Sequence, residues 1–248
     1  MVKGFYTVAL ALIFTFAANS QTLDEVIQKN IEARGGVENW QAVKSLKMEG
    51  TYTSFSTPHP FTIHRKRPGF YRFEHFLSSK PVTCTFDGES AWWINPWYGE
   101  TDATSIPAPD SLVTLREKEF DNVFWNYREK DIAVELLEKG DVDGQECYKL
   151  KVTHQNNVEE TWYIDSASFL EIKMEGETYD FGRKVNLVMY FDDFRETGGV
   201  LMPYYVEQEF GTRHRVFEIN AITTNPNIED SIFTMPVTQA APKDAENQ

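Results

Sequence analysis

The sequence predicts a mainly β protein, built as one strongly curved antiparallel sheet or an incomplete barrel. Three observations carry this. From Ser45 onward the apolar residues recur with period two. Turn signals separate these runs often enough to give roughly a dozen strands. Helical patterns occur at the start and at one interruption and do not alternate with strands, which argues against a parallel α/β sheet.

The first helix follows from Thr22-Leu23-Asp24-Glu25, which reads as a capping box. Leu23, Val26, Ile27 and Ile31 have helical spacing, and Gly35-Gly36 ends the helix. A second helical turn is expected through Trp40 and Val43. Leu46, Met48 and Tyr52 then alternate with Lys47, Glu49, Thr51 and Thr53. Further strands are expected at 60–67, 70–76, 81–86 and 90–94, the last two joined by a turn at Asp87-Gly88. Glu100 to Asp110 contains Pro107 and Pro109 and reads as a loop, with Asp110 placed to cap a helix. Phe120, Val123, Phe124 and Tyr127 form an apolar stripe near Trp125. Strands resume near 132–139, 146–154, 158–164, 169–175, 185–192, 201–210 and 214–223, with turns at Asp143-Gly144 and Asn156-Asn157.

The ends read differently. Lys3, the apolar run Phe5 to Ala18 and the small residues Ala18 and Ser20 have the form of a secretory signal cut before Gln21. The run is about 14 residues, short of the roughly 20 needed to span a bilayer. Gln21 is not cysteine, so no lipid-acceptor site follows that cut. The expected organisation is a signal at 1–20, one domain at 21–236 and a polar tail at 237–248, with the mature protein soluble and exported to the periplasm.

Loss of Lys3 takes the net charge from −14 to about −15, since residues 1–20 hold no acid. Such a chain offers no basic footprint for nucleic acid or for an anionic membrane surface. Aromatics make up 14% of the residues and require a deep core or an aromatic-lined pocket. Two cysteines in an oxidising compartment raise the question of a disulfide. Cys84 shares a strand face with Val82 and Phe86, whereas Cys147 shares one with Lys149 and Lys151. One inward and one outward thiol do not meet the separation a disulfide needs, so no bridge is expected.

Catalytic signatures are scarce. There is no Gly-x-Ser-x-Gly elbow, phosphate-binding glycine loop or His-Glu-x-x-His. His59, His64, His75, His154 and His214 match no zinc spacing. Asp141-Val142-Asp143-Gly144 lacks the calcium-loop glutamate, having Val152 there, and reads as a hairpin turn. Asp192-Asp193 and Glu159-Glu160 are adjacent on strands, point to opposite faces and read as solvated or turn residues. No cofactor, metal or enzymatic activity is called for.

In Phe61-Thr62-Ile63-His64-Arg65-Lys66-Arg67, the parity of Phe61 and Ile63 continues to Arg65 and Arg67. An inner face that begins apolar ends with arginines, which either snorkel to solvent or hydrogen-bond across a cavity mouth. The run Lys66-Arg67-Pro68-Gly69-Phe70-Tyr71-Arg72-Phe73, followed by Asp87-Gly88-Glu89-Ser90-Ala91-Trp92-Trp93-Ile94-Asn95-Pro96, resembles the LolA family of periplasmic lipoprotein carriers. So does the ending Phe233-Thr234-Met235-Pro236, while Ala33 to Trp40 is similar to the broader outer-membrane lipoprotein-sorting relatives.

The resemblance implies an incomplete antiparallel β-barrel whose concave face is covered by helices around a cavity for acyl chains. By the same resemblance Arg67 latches a helical lid, Phe73 lies on the pocket wall and Trp92 is the hairpin tryptophan. Met48, Ile63 and Tyr71 join them as candidate ligand-binding residues. The implied partners are acyl chains of lipoproteins or lipids, a membrane-bound loading complex and an outer-membrane acceptor, with the carrier itself a monomer. Two other readings stand beside it. One is a non-transporting envelope protein with a filled core, and the other is a hydrolase whose site forms only in three dimensions.

Overall fold

The computed structural model describes residues 21–236 apart from 55, 78, 79, 119 and 120. The expected signal, the polar tail and Phe120 lie outside the described residues. The chain opens with α1 (Leu23–Ala33) and α2 (Val37–Ala42). Strands β1 (Ser45–Ser54), β2 (Thr57–Lys66), β3 (Phe70–Leu77), β4 (Lys80–Phe86), β5 (Ala91–Asn95) and β6 (Glu100–Ser105) follow, then α3 (Ser111–Glu117). After a turn-rich segment come β7 (Ala133–Leu136), β8 (Gly140–Val142), β9 (Gln145–Thr153), β10 (Glu159–Asp165) and β11 (Glu171–Asp180). The last strands are β12 (Arg183–Thr197), β13 (Val200–Phe210) and β14 (Arg213–Thr224).

These strands form one curled, unclosed antiparallel sheet in the order β6-β5-β4-β3-β2-β1-β14-β13-β12-β11-β10-β9-β7, with β8 also on β9. Two meanders, β1 to β6 and β9 to β14, therefore share the β1/β14 seam. Bulges supply much of the curl. One interrupts the β1/β14 register at Glu49/Gly50, and another that of β10/β11 at Tyr163/Ile164. Gly50 is required there, because a Cβ would stand 2.1 Å from the Glu218 carbonyl oxygen. The sheet curls until Tyr98, after β5, stacks on Phe181 of the β11–β12 turn with ring centroids 4.7 Å apart. Helix α3 packs on β4, β5 and β11, spanning the gap between the two arms.

Local signals explain the covering helices. Thr22 and Glu25 form the reciprocal capping box, with bonds of 3.3 and 2.8 Å. The amides of Gly35 and Gly36 return to the Glu32 and Ile31 carbonyls and end α1. Val26 and Ile27 of α1 pack with Leu150, Val152 and Ile164, whereas Trp40 and Val43 of the α2 region pack on β1 to β5 and β13 to β14.

Several expectations are corrected. Residues 100–105 are strand β6, because Glu100 and Thr104 pair with β5 ahead of the prolines. Asp110 stands at the N-cap of α3 but makes no capping bond with its side chain; its carboxylate accepts from the Gly182 amide at 2.9 Å across the gap. Asp192 and Asp193 are both exposed, as expected, although Asp193 has a left-handed backbone at φ 52° within an unbroken β12/β13 register. Cys147 does face the Lys149 side, yet β8 pairs beside it and it is fully buried. Both cysteines are free, as expected.

Candidate functional site

Register assembles the concave face. Met48, Ile63, Phe73, Cys84 and Trp93 stand in one cross-strand row, and Leu46, Arg65, Tyr71, Phe86 and Ala91 in the next. Four of the residues singled out in the sequence, Met48, Ile63, Tyr71 and Phe73, therefore share one apolar surface with Phe61, Trp93 and Ile222. Trp92 does not. Strand alternation puts it on the convex face, where its indole N–H donates to the Phe233 carbonyl at 2.7 Å. It anchors the C-terminal segment, which explains why the tryptophan and the Phe233–Pro236 ending occur in one chain.

Polar contacts hold the cover on this apolar face. Just beyond β2, Arg67 donates from Nε to the Val43 carbonyl at 2.9 Å and from Nη2 to that of Trp40 at 3.0 Å. Its Nη1 donates to Asp121 Oδ2 at 2.8 Å, and Nη2 also meets Oδ1 of that carboxylate. One guanidinium thus satisfies carbonyls at the end of α2 and grips the segment after α3. Arg65 pairs with Glu117 of α3 at 3.0 Å. Deeper in, Arg34 pairs with buried Glu171 at 2.8 Å. The Asn122 amide donates to Glu171 at 2.7 Å and to Asn30 at 2.9 Å.

Asp121, Asn122 and Glu171 carried no linear signal, since their partners lie dozens of residues away. Arg34 lay within the Ala33–Trp40 run that the family resemblance had used. Between these two networks is a small, partly open space of about 10 Å³ lined by Ile31, Arg34, Val37, Trp40, Asn122 and Trp125. It is large enough for about one water and not for an acyl chain.

No family model matches the chain, and no curated protein matches it in sequence. Solved structures do. A LolA superfamily protein from Nitrosomonas europaea superposes with a TM-score of 0.58 at 15% identity, covering 87% of this chain and 98% of that one. The fold is LolA-like. A DUF1329 family protein from Desulfovibrio piger gives 0.59 at 12% identity, over 87% of this chain and 98% of its own. An outer membrane lipoprotein-sorting protein domain from Vibrio parahaemolyticus gives 0.51 at 12%, over 84% and 94%.

Titratable groups on the LolA-like concave face are tuned by burial. His75 is pushed down to about 4 and Cys84 up to about 11, burial being the main cause in each. Tyr71 is raised for the same reason. Glu160 corrects the expectation of a solvated residue. It is buried, accepts from the Trp162 indole at 2.9 Å and pairs with His154 at 3.2 Å. Burial alone would raise its carboxyl; the bonds from His154 and Trp162 outweigh that and hold it below the ordinary carboxylate value. Among the described residues no group of three or more His, Cys, Asp or Glu could hold a metal ion. No described helix is long and apolar enough to cross a membrane.

Proposed function

We propose that this protein is an exported envelope carrier that holds acyl chains of lipoproteins or lipids on its concave sheet face. In this reading α2, α3 and the segment following α3 form the lid. Met48, Ile63, Tyr71 and Phe73 contact the chain and Arg67 is the latch. The observation that carries it is the Arg67 fork, which ties carbonyls of α2 and the Asp121 carboxylate to a strand end at the rim of an apolar sheet. A cover held at its rim by charged hydrogen bonds can exchange them for water and lift, whereas a cover held only by apolar packing cannot. The lipoprotein-sorting domain from Vibrio parahaemolyticus, with the same fold, supports the reading.

The energetics require such a lid. Burying a 16-carbon chain yields roughly 12 kcal/mol gross, and release would be very slow without an offset. Closure of the lid on the empty face competes with the ligand and supplies that offset. The filled concave face favours a second reading, a non-transporting envelope protein with a permanent core. One titration with fluorescent fatty acids of graded length separates them. The carrier binds a 16-carbon chain at micromolar concentration or tighter and an 8-carbon chain far more weakly. Affinity that ignores chain length, or no binding, refutes the carrier and leaves the filled core. In cells the working form begins at Gln21, which intact mass of the periplasmic fraction checks.

A further inference from the structure

We infer that Arg215 is the head-group anchor of the carried lipid, binding a carboxylate or phosphate at the end of the concave face opposite Arg67. This rests on the carrier reading and adds the chemical class of the ligand, an anionic amphiphile with one charged end.

The inference starts from how the inward arginines are partnered. Arg34 pairs with Glu171, Arg65 with Glu117, Arg67 with Asp121, and Arg213 at the start of β14 with Asp180 at 3.0 Å. Arg215, two residues on, has no such partner. Its guanidinium lies over the rings of Phe210 at 4.2 Å and Tyr52 at 5.7 Å. Its Nε is buried without a hydrogen-bond acceptor, and among the described residues no carboxylate pairs with it. A buried guanidinium N–H without an acceptor is costly. In a chain of net charge −14, acidic side chains are plentiful, yet none is placed here.

The surroundings define what the site would take. Arg215 pairs with Ser54 across the β1/β14 seam, so it shares the inward parity of Phe217, opposite Tyr52. Tyr52, Phe73 and Phe217 form a contiguous ring cluster, with centroids 4.9 to 6.0 Å apart. His75, whose ring lies 5.0 Å from that of Tyr52, is neutral at pH 7 and adds no positive charge beside Arg215. A planar fork above an aromatic floor suits a carboxylate or phosphate whose tail lies on the rings. From Ser54 back to Ser45 the seam runs about 30 Å at the usual strand rise, leading from Arg215 towards Arg67.

The test is a displacement titration with hexadecanoate, hexadecyl phosphate and neutral hexadecanamide against wild type, Arg215→Gln and Arg215→Lys. Wild type should bind the anions about 10- to 100-fold more tightly than the amide, the range of one shielded charge-assisted contact. Arg215→Gln should abolish that preference while still binding the amide, and Arg215→Lys should keep part of it. A preference for phosphate points to a lipid phosphate as the natural head group, and one for carboxylate to a free fatty acid. If wild type binds anions and amide equally, or if the preference survives Arg215→Gln, the anchor is wrong and carriage stands. If wild type binds none of the three, the carrier reading falls and the anchor with it. Should Arg215→Gln not fold, the wild-type series and Arg215→Lys decide: undiminished anion preference in the lysine variant overturns the planar-fork anchor.

Discussion

Replacing Arg67 with Leu removes the latch and keeps the bulk. Three separate contacts go: the bonds to the Val43 and Trp40 carbonyls and the two-pronged pair with Asp121. Each shielded charge-assisted bond is worth up to about 3 kcal/mol, but the Arg67 and Asp121 side chains are 24% and 16% exposed, so water recovers part of the loss. A net weakening of lid closure by about 2–3 kcal/mol follows, equivalent to about a 30- to 150-fold rise in the open population while the closed form dominates. The expected result is a tighter complex with a labelled 16-carbon fatty acid, by tenfold or more, and slower release. Lys66→Met is the matched control. Lys66 bonds to the Ile228 carbonyl and Asp230 on the convex side, so its loss should leave lipid affinity unchanged. Wild-type affinity and release in a folded Arg67→Leu protein would show that the fork secures a strand end and gates nothing.

His75 and acid come next. Its folded pKa of about 4 lies below the ordinary 6.5, so the unfolded chain binds the proton first and stability is full above pH 6.5. Between pH 6.5 and 4 about 3 kcal/mol should be lost, with half-buried His64 adding in the same direction; urea melts of wild type and His75→Phe should differ in that window. The cysteines should both be thiols, unreactive to alkylation in the native protein at pH 8 and labelled on unfolding, since burial raises both. A native mass two units low with no labelling would contradict this. Gly50→Ala should lower stability by about 2 kcal/mol or more, because the added methyl meets backbone at the bulge. An unchanged denaturation midpoint would mean that the seam is looser than described.

The strands were legible because an antiparallel sheet with one dry face writes period two into the chain, as in Tyr148, Leu150 and Val152 against Lys149 and Lys151. The same alternation placed Met48, Ile63, Tyr71 and Phe73 on one surface. It was less reliable where the backbone departs from it. Asp193 takes a left-handed backbone, φ 52°, inside β12, which strand alternation does not foresee. At Cys147 the parity held but its meaning did not, because the residue is fully buried beside β8 although it faces the Lys149 side. The family resemblance counts Trp92 among the ligand-binding residues, whereas the pairing of β4 with β5 puts it on the convex side under Phe233.

What the sequence determined by itself was therefore local: the capped first helix, the strand periods, the turns at Asp87-Gly88 and Asp143-Gly144, and an inner face ending in arginines. These depend on residues within a few positions of one another, where side-chain spacing and backbone preference act directly. Tertiary structure decided which carboxylate meets which arginine. Arg67 and Asp121 are 54 residues apart, and Arg34 and Glu171 are 137 apart. Such pairs form only after the sheet has curled and α3 has bridged its arms, and no period in the chain records them. The same long-range geometry left Arg215 over Phe210 and Tyr52, with no carboxylate paired to it among the described residues.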